Sequence, residues 1–122
     1  MVLDLQSPDC LTTSPKDGGD NQLWKWVGGA TYGVDYGSAI INKTGVVLEI
    51  KDQNPSPGAS VIALQGPNGS KNQQWKIKGG NIVSCLNGLF LSIKGGSNQS
   101  QDEIILWPSS NGDTQSWRFV TP

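Results

Sequence analysis

One short motif occurs three times in this chain and limits its possible folds more than any other feature. The motif reads Gln-x-Trp followed by a basic and then an apolar residue, and its tryptophans are Trp24, Trp75 and Trp117. They lie 51 and 42 residues apart, a spacing typical of the supersecondary units in repeat-built folds. We therefore predict a single domain, residues 1–122, built from three related units.

The similarity between the units extends beyond the motif. Residues 45–50 align with residues 88–93, and residues 62–65 align with residues 104–107. These segments are short, rich in β-branched and aromatic residues, and separated by Gly, Asn, Pro and Ser, a pattern that favours strands joined by turns. A full unit is accordingly predicted to contain four strands.

The first unit is abbreviated. Residues 2–5 align with residues 47–50, which leaves no segment before them for an opening strand, and the segment 28–38, with Tyr32 and Tyr36, is the candidate to fill the gap. We predict repeats at about residues 1–27, 28–78 and 79–122.

The composition also favours an all-β fold. The chain has 16 Gly and 7 Pro, and only 35% of its residues are hydrophobic, so turns are frequent and long helices are not expected. A four-stranded unit cannot bury its apolar face alone, so three copies should close around a pseudo-threefold axis. In such a fold the motif tryptophan fills the shared core, and the motif glutamine satisfies backbone groups in the turns.

These repeats resemble the ricin B-type lectins, whose β-trefoil carries Gln-x-Trp near the end of each of three subdomains. The resemblance covers nearly the whole chain and implies a β-trefoil of three four-stranded repeats. It implies a non-catalytic lectin without cofactor or metal that binds glycans of the galactose or N-acetylgalactosamine type. Each family pocket uses an acid in the second strand, an aromatic platform at the end of the third strand, and a polar residue just before Gln-x-Trp.

Carried over position by position, the resemblance identifies candidate sugar-binding residues in all three repeats. A carboxylate accepts hydrogen bonds from adjacent hydroxyls, an amide both donates and accepts, and a ring packs on the apolar face of a sugar. The candidates are Asp4 and Asn21 in the first repeat, Glu49, Gln65, Asn68 and Asn72 in the second, and Trp107 and Asn111 in the third.

No repeat reproduces the whole family pattern. Ser14 falls near the platform position of the first repeat, and Gln65 takes that position in the second. In the third repeat, Ser92 replaces the acid and Thr114 replaces the amide, so that Asp102, Asn111 or Asp113 would have to compensate.

Several classes of function are disfavoured by the composition. The chain has no His, which excludes Ser/His and Cys/His nucleophile systems and imidazole-bound zinc. Its 9 basic and 10 acidic residues are scattered and give a net charge of -1, so no nucleic-acid partner is expected. No apolar run approaches the roughly 20 residues of a membrane span, so we expect no membrane insertion.

Some alternatives stay open at this stage. The chain could be a protein-interaction or inhibitor scaffold with decayed sugar sites, or a sugar-binding appendage of a larger enzyme or toxin. Weak sites would gain avidity in a homo-oligomer.

Cys10 and Cys85 are expected to be reduced thiols. No signal peptide is visible, which is compatible with a cytoplasmic protein and with a secreted one.

Overall fold

The computed structural model describes residues 2–7, 10–27, 39–66, 70–94, 103–110 and 112–117. Within these ranges the chain forms ten strands connected by turns and single 3-10 turns. The strands are β1 (Val2–Ser7), β2 (Cys10–Ser14), β3 (Trp24–Val27), β4 (Ala39–Asn42), β5 (Val46–Ile50), β6 (Val61–Gln65), β7 (Trp75–Lys78), β8 (Asn81–Ser84), β9 (Phe90–Ile93) and β10 (Ile104–Trp107).

The helical elements are 3-10 turns of three residues each. They are Asp20–Gln22, Lys51–Gln53, Lys71–Gln73 and Asp113–Gln115. Three of these turns contain a motif glutamine at their last position. No helix in the described ranges has the length and apolar character needed to cross a membrane. The predicted all-β fold is confirmed.

The strands form three antiparallel sheets. The order of pairing is β1-β2 in the first sheet, β3-β4-β5-β6 in the second and β7-β8-β9-β10 in the third. The motif strands β3 and β7, which begin at Trp24 and Trp75, each open a four-stranded sheet with the strands that follow them. The sheets thus link neighbouring repeats, since β3 pairs with a strand beyond the predicted end of the first repeat. The predicted repeat boundaries themselves stay a prediction, and the segment 28–38 lies outside the described residues.

The strand register makes the repeats equivalent. In the hairpins β1-β2, β5-β6 and β9-β10, Asp4 pairs with Thr12, Glu49 with Ile62, and Ser92 with Ile105. The three positions predicted to carry or replace the sugar-binding acid therefore occupy the same place in three copies of one hairpin. Because residues two apart in a strand share a face, each hairpin presents an equivalent outer surface.

The third strands of the repeats meet at the pseudo-threefold axis. Strands β2, β6 and β10 contact one another pairwise. Isolated bridges join Thr12 to Glu103 and Ser60 to Ile105, which link β2 to the start of β10 and β10 to the start of β6. These contacts join the hairpins at their edges and reduce the number of exposed strand edges.

A single hydrophobic core lies among the hairpins. Leu48, Leu91 and Leu106 are completely buried and come from three different strands. The cluster consists of Leu11, Ile40, Leu48, Ile50, Ala59, Val61, Trp75, Ile82, Leu91, Ile93, Ile104 and Leu106. Trp24 and Trp117 are partly buried and pack against this cluster, whereas Trp75 is part of it.

Each motif tryptophan makes the same hydrogen bond. The indole Nε1 of Trp24 donates to the carbonyl of Leu3 at 3.0 Å, that of Trp75 to Leu48 at 3.1 Å, and that of Trp117 to Leu91 at 2.9 Å. The acceptor in each case is the residue just before the acid position. The predicted structural role of these tryptophans is confirmed, because each ring packs in or on the core and its only polar group is satisfied.

Candidate functional site

The motif glutamines connect each candidate site to the fold. In every repeat the glutamine Nε2 donates to two acceptors. One is the side chain at the acid position, and the other is a backbone carbonyl at or just after the end of β2, β6 or β10. The contacts are Gln22 to Asp4 at 3.3 Å and Pro15 at 2.9 Å, Gln73 to Glu49 at 2.8 Å and Gln65 at 3.3 Å, and Gln115 to Ser92 at 3.0 Å and Pro108 at 2.7 Å.

The first repeat uses its acid internally. Asp4 is 3% exposed and accepts hydrogen bonds from the amide of Asn21 and from Gln22. Asn21 also donates to the carbonyl of Leu5 at 3.5 Å. The structure therefore brings the predicted acid and amide together, but as partners of each other, and Ser14 at the platform position is buried. The Asp4 carboxylate is therefore satisfied by hydrogen bonds within the protein and has almost no surface exposed to a ligand.

The second repeat forms a pocket with a volume of about 520 Å³. Glu49 and Asn72, the predicted acid and amide, both line it. Its other lining residues, which the sequence reasoning missed, are Lys51, Asp52, Gln53, Ile62 and Leu64. Glu49 is half-buried, and its Oε1 accepts from Gln73, which holds the carboxylate at the pocket wall.

Asn72 carries an unsatisfied acceptor at this pocket. The residue is 4% exposed, and its Nδ2 donates to the carbonyl of Ile50 at 3.3 Å. Its Oδ1 is buried and has no hydrogen-bond partner among the described residues. Because the Ile50 carbonyl can only accept, this contact fixes which amide atom is the donor. A buried acceptor without a partner costs about 1–3 kcal/mol.

The strand register places Leu64 at the platform position of the second repeat. Ile62 pairs with Glu49 as Ile105 pairs with Ser92, and the next residue on the same face is Leu64 in one hairpin and Trp107 in the other. Leu64 is 40% exposed and gives the pocket an aliphatic wall. Gln65, the predicted platform residue, is exposed, and its carbonyl accepts from Gln73. Its contact with sugar stays a prediction.

The third repeat has the aromatic ring without the acid. Trp107 is 47% exposed, and it pairs across the hairpin with Phe90. Ser92 is buried, and its hydroxyl donates to the Phe90 carbonyl at 2.9 Å and accepts from Gln115. The hydroxyl thus both donates and accepts within the protein.

Some predicted residues lie outside the part of the chain that the structure describes. They are Tyr32, Tyr36, Asn68, Asp102 and Asn111, and the side chains of Cys10 and Asp113 are likewise not described.

Comparison with known protein families finds one that matches most of the chain. Residues 20–107 and 71–122 match the family described as ricin-type β-trefoil lectin domain-like. The chain belongs to this family. Membership of the ricin-type lectin-like family supports carbohydrate binding as its general function. No curated protein sequence is significantly similar to the chain.

Solved structures show the same β-trefoil. A designed threefold-symmetric protein, ThreeFoil, matches with a TM-score of 0.84 and 27% identity over 98% of this chain and 90% of the other. The Macrolepiota procera ricin B-like lectin, solved in complex with lactose, matches with a TM-score of 0.76 and 19% identity over 94% of this chain and 83% of the lectin.

One similar structure is an enzyme. An exo-β-1,3-galactanase from Clostridium thermocellum matches with a TM-score of 0.79 and 27% identity. The similarity covers 95% of this chain but 26% of the galactanase. The matched region is thus a minor part of that enzyme, comparable in size to this ricin-type lectin-like domain.

Proposed function

We propose that this domain is a non-catalytic lectin that binds glycans of the galactose or N-acetylgalactosamine type through the pocket of its second repeat. The observation that carries the proposal is the presence of Glu49 and Asn72 at one pocket, with the Asn72 Oδ1 buried and without a partner among the described residues. The lactose complex of the Macrolepiota procera lectin supports a galactose-containing ligand.

The chemistry of the pocket suits a sugar hydroxyl pair. Glu49 offers carboxylate oxygens to adjacent hydroxyl donors, while Ile62 and Leu64 offer aliphatic surface to the C–H face of the ring. An aliphatic wall lacks the specific ring geometry of an aromatic platform. A few hydrogen bonds that compete with water give about −4 kcal/mol, which corresponds to a dissociation constant of about 1 mM.

Two features support a binding role over catalysis. The chain has no His, which is the most common general acid or base in enzymes. The galactanase similarity involves 26% of that enzyme, a share that suits a binding domain attached to a separate catalytic part. The same observation favours a second candidate, in which this domain targets a larger enzyme to its glycan.

The substitution Glu49→Gln tests the proposal. The glutamine oxygen can still accept from Gln73, so the hairpin is preserved, but the pocket loses its charged acceptor. We expect the affinity for lactose, measured by isothermal titration calorimetry, to fall about tenfold, because a hydrogen bond to a charged group is roughly twice as strong as a neutral one.

Glu103→Gln is the matched control. Glu103 is exposed, lies in the third repeat and pairs with Lys94 at 3.4 Å, so its substitution makes the same chemical change away from the pocket. Its affinity for lactose should equal that of the unmodified protein. Equal affinity of both variants, or no saturable binding of any galactose-containing glycan at millimolar concentration, would contradict the proposal and favour a protein-interaction scaffold.

A further inference from the structure

The pocket of the second repeat carries more negative than positive charge. Glu49 reaches it from β5, and Lys51 and Asp52 reach it from the turn that follows this strand. The other lining residues, Gln53, Ile62, Leu64 and Asn72, are uncharged. The lining therefore contains two carboxylates and one ammonium group.

Neither carboxylate is neutralised by an ion pair within the described part of the chain. The two ion pairs there join Lys43 to Asp20 and Lys94 to Glu103, all outside the pocket. Glu49 accepts from the neutral amide of Gln73, which satisfies one oxygen without compensating its charge. The carboxylate thus keeps its attraction for a cation.

The buried amide at the pocket is also oriented as an acceptor. The Asn72 Nδ2 is engaged with the Ile50 carbonyl, so the Oδ1 is the atom left without a partner. The side-chain acceptors at this pocket are then the carboxylates of Glu49 and Asp52 and the buried Oδ1 of Asn72, whereas the side-chain donors are those of Lys51 and Gln53. A ligand group with several donors, no acceptor and a positive charge has the complementary chemistry.

We infer that this pocket prefers amino sugars with a free, protonated amine over their neutral hydroxyl or N-acetyl counterparts. The inference rests on the proposed sugar binding at this pocket. An ammonium group has three donors and makes charge-assisted hydrogen bonds with carboxylates. N-acetylation removes the charge and adds a carbonyl acceptor, which has no complement in Glu49, Asp52 or Asn72.

The direct test compares galactosamine with galactose and N-acetylgalactosamine in calorimetric or NMR titrations of the full chain. At about pH 6, where the sugar amine is protonated, galactosamine should bind about fivefold more tightly, a factor typical of a partly exposed ion pair. At about pH 9 the sugar amine is largely neutral, so the charge that distinguishes galactosamine from galactose is absent. The advantage of galactosamine should then be lost.

A variant identifies the groups responsible. Asp52→Asn removes one pocket charge and keeps a residue type that tolerates the positive φ of 56° at this position. It should weaken galactosamine binding more than galactose binding. Asp20→Asn, the same change on an exposed residue of the first repeat, should alter neither.

The outcomes separate this inference from the proposed function. If galactose binds and galactosamine binds no more tightly at about pH 6, the preference for an amine is overturned and the lectin proposal stands. If Asp52→Asn and Asp20→Asn weaken galactosamine binding equally, the preference does not arise from this pocket. If no sugar binds at millimolar concentration, both the inference and the proposed function fail.

Discussion

The motif tryptophan Trp75 and the non-motif tryptophan Trp107 lie in different surroundings. Trp75 is completely buried and donates to the Leu48 carbonyl, whereas Trp107 is 47% exposed on the outer face of its hairpin. Both residues are large and apolar in the sequence. The Gln-x-Trp context distinguished them correctly, because a repeated motif indicates a repeated structural contact.

The substitutions Trp75→Ala and Trp107→Ala make this difference measurable. Trp75→Ala should lower the free energy of unfolding by about 3–5 kcal/mol, since it removes a fully buried ring and leaves a cavity. Trp107→Ala is the comparison variant, and it should cost clearly less than Trp75→Ala, because about half of the Trp107 side chain is already exposed to water. Urea unfolding monitored by circular dichroism checks both, and similar costs would contradict the assigned burial.

The two predicted acids differ in burial, which residue identity alone could not reveal. Asp4 and Glu49 occupy equivalent places in their hairpins, yet Asp4 is 3% exposed and bonded to Asn21, whereas Glu49 lines a pocket. Whether an acid faces solvent depends on the loops that surround it. The loop between the hairpin strands is much shorter in the first repeat than in the second, so the two sites are built from different walls.

At the level of secondary-structure elements, the register of the hairpin β5-β6 determines which residue takes the platform position of the second repeat. Counting back from Gln-x-Trp places Gln65 and Trp107 at the same distance before the motif. The segment between the hairpin and the motif is one residue longer in the second repeat, so the register places Leu64 there instead. An alignment without gaps could not detect this shift. Side chains alternate between the two faces of a strand, so the residue two positions after Ile62, the partner of Glu49, identifies Leu64 as the platform residue.

The turn after β5 contains two residues with a positive φ. Asp52 and Gln53 have φ values of 56° and 52°, in the left-handed region, which aspartate tolerates and which costs glutamine roughly 1–2 kcal/mol. Both residues line the pocket of the second repeat. No sequence pattern indicates this backbone conformation, which in proteins often occurs at functional sites.

Replacing one of these residues by glycine should relieve the strain. Gln53→Gly is expected to raise the free energy of unfolding by up to about 1 kcal/mol, because glycine has no Cβ to oppose a positive φ. Gln53→Ala removes the same side chain but keeps the Cβ, so it should give no such gain. Thermal and urea unfolding of the two variants provide the comparison, and equal stability of both would show that the strain is absent.

At the scale of the whole molecule, the sequence predicted the β-trefoil because three copies of one motif require equivalent surroundings. The equivalent pairs of the three hairpins and the meeting of β2, β6 and β10 confirm that symmetry. The sequence could not show whether the acid and amide positions of the three repeats have the same surroundings. Within the described residues, an acid and an amide line a shared pocket in the second repeat, are bonded to each other in the first, and are replaced by Ser92 and Thr114 in the third.

We propose that the threefold fold presents a sugar site through its second repeat. An NMR titration of the ¹⁵N-labelled chain with lactose tests this site in the context of the whole domain, because every repeat is observed at once. We expect concentration-dependent shifts at Glu49, Leu64, the turn Lys51–Gln53 and the side-chain amide of Asn72, with one dissociation constant near the millimolar range. Shifts that are largest around Asp4 and Asn21 or around Trp107, or no shifts at all, would contradict the claim.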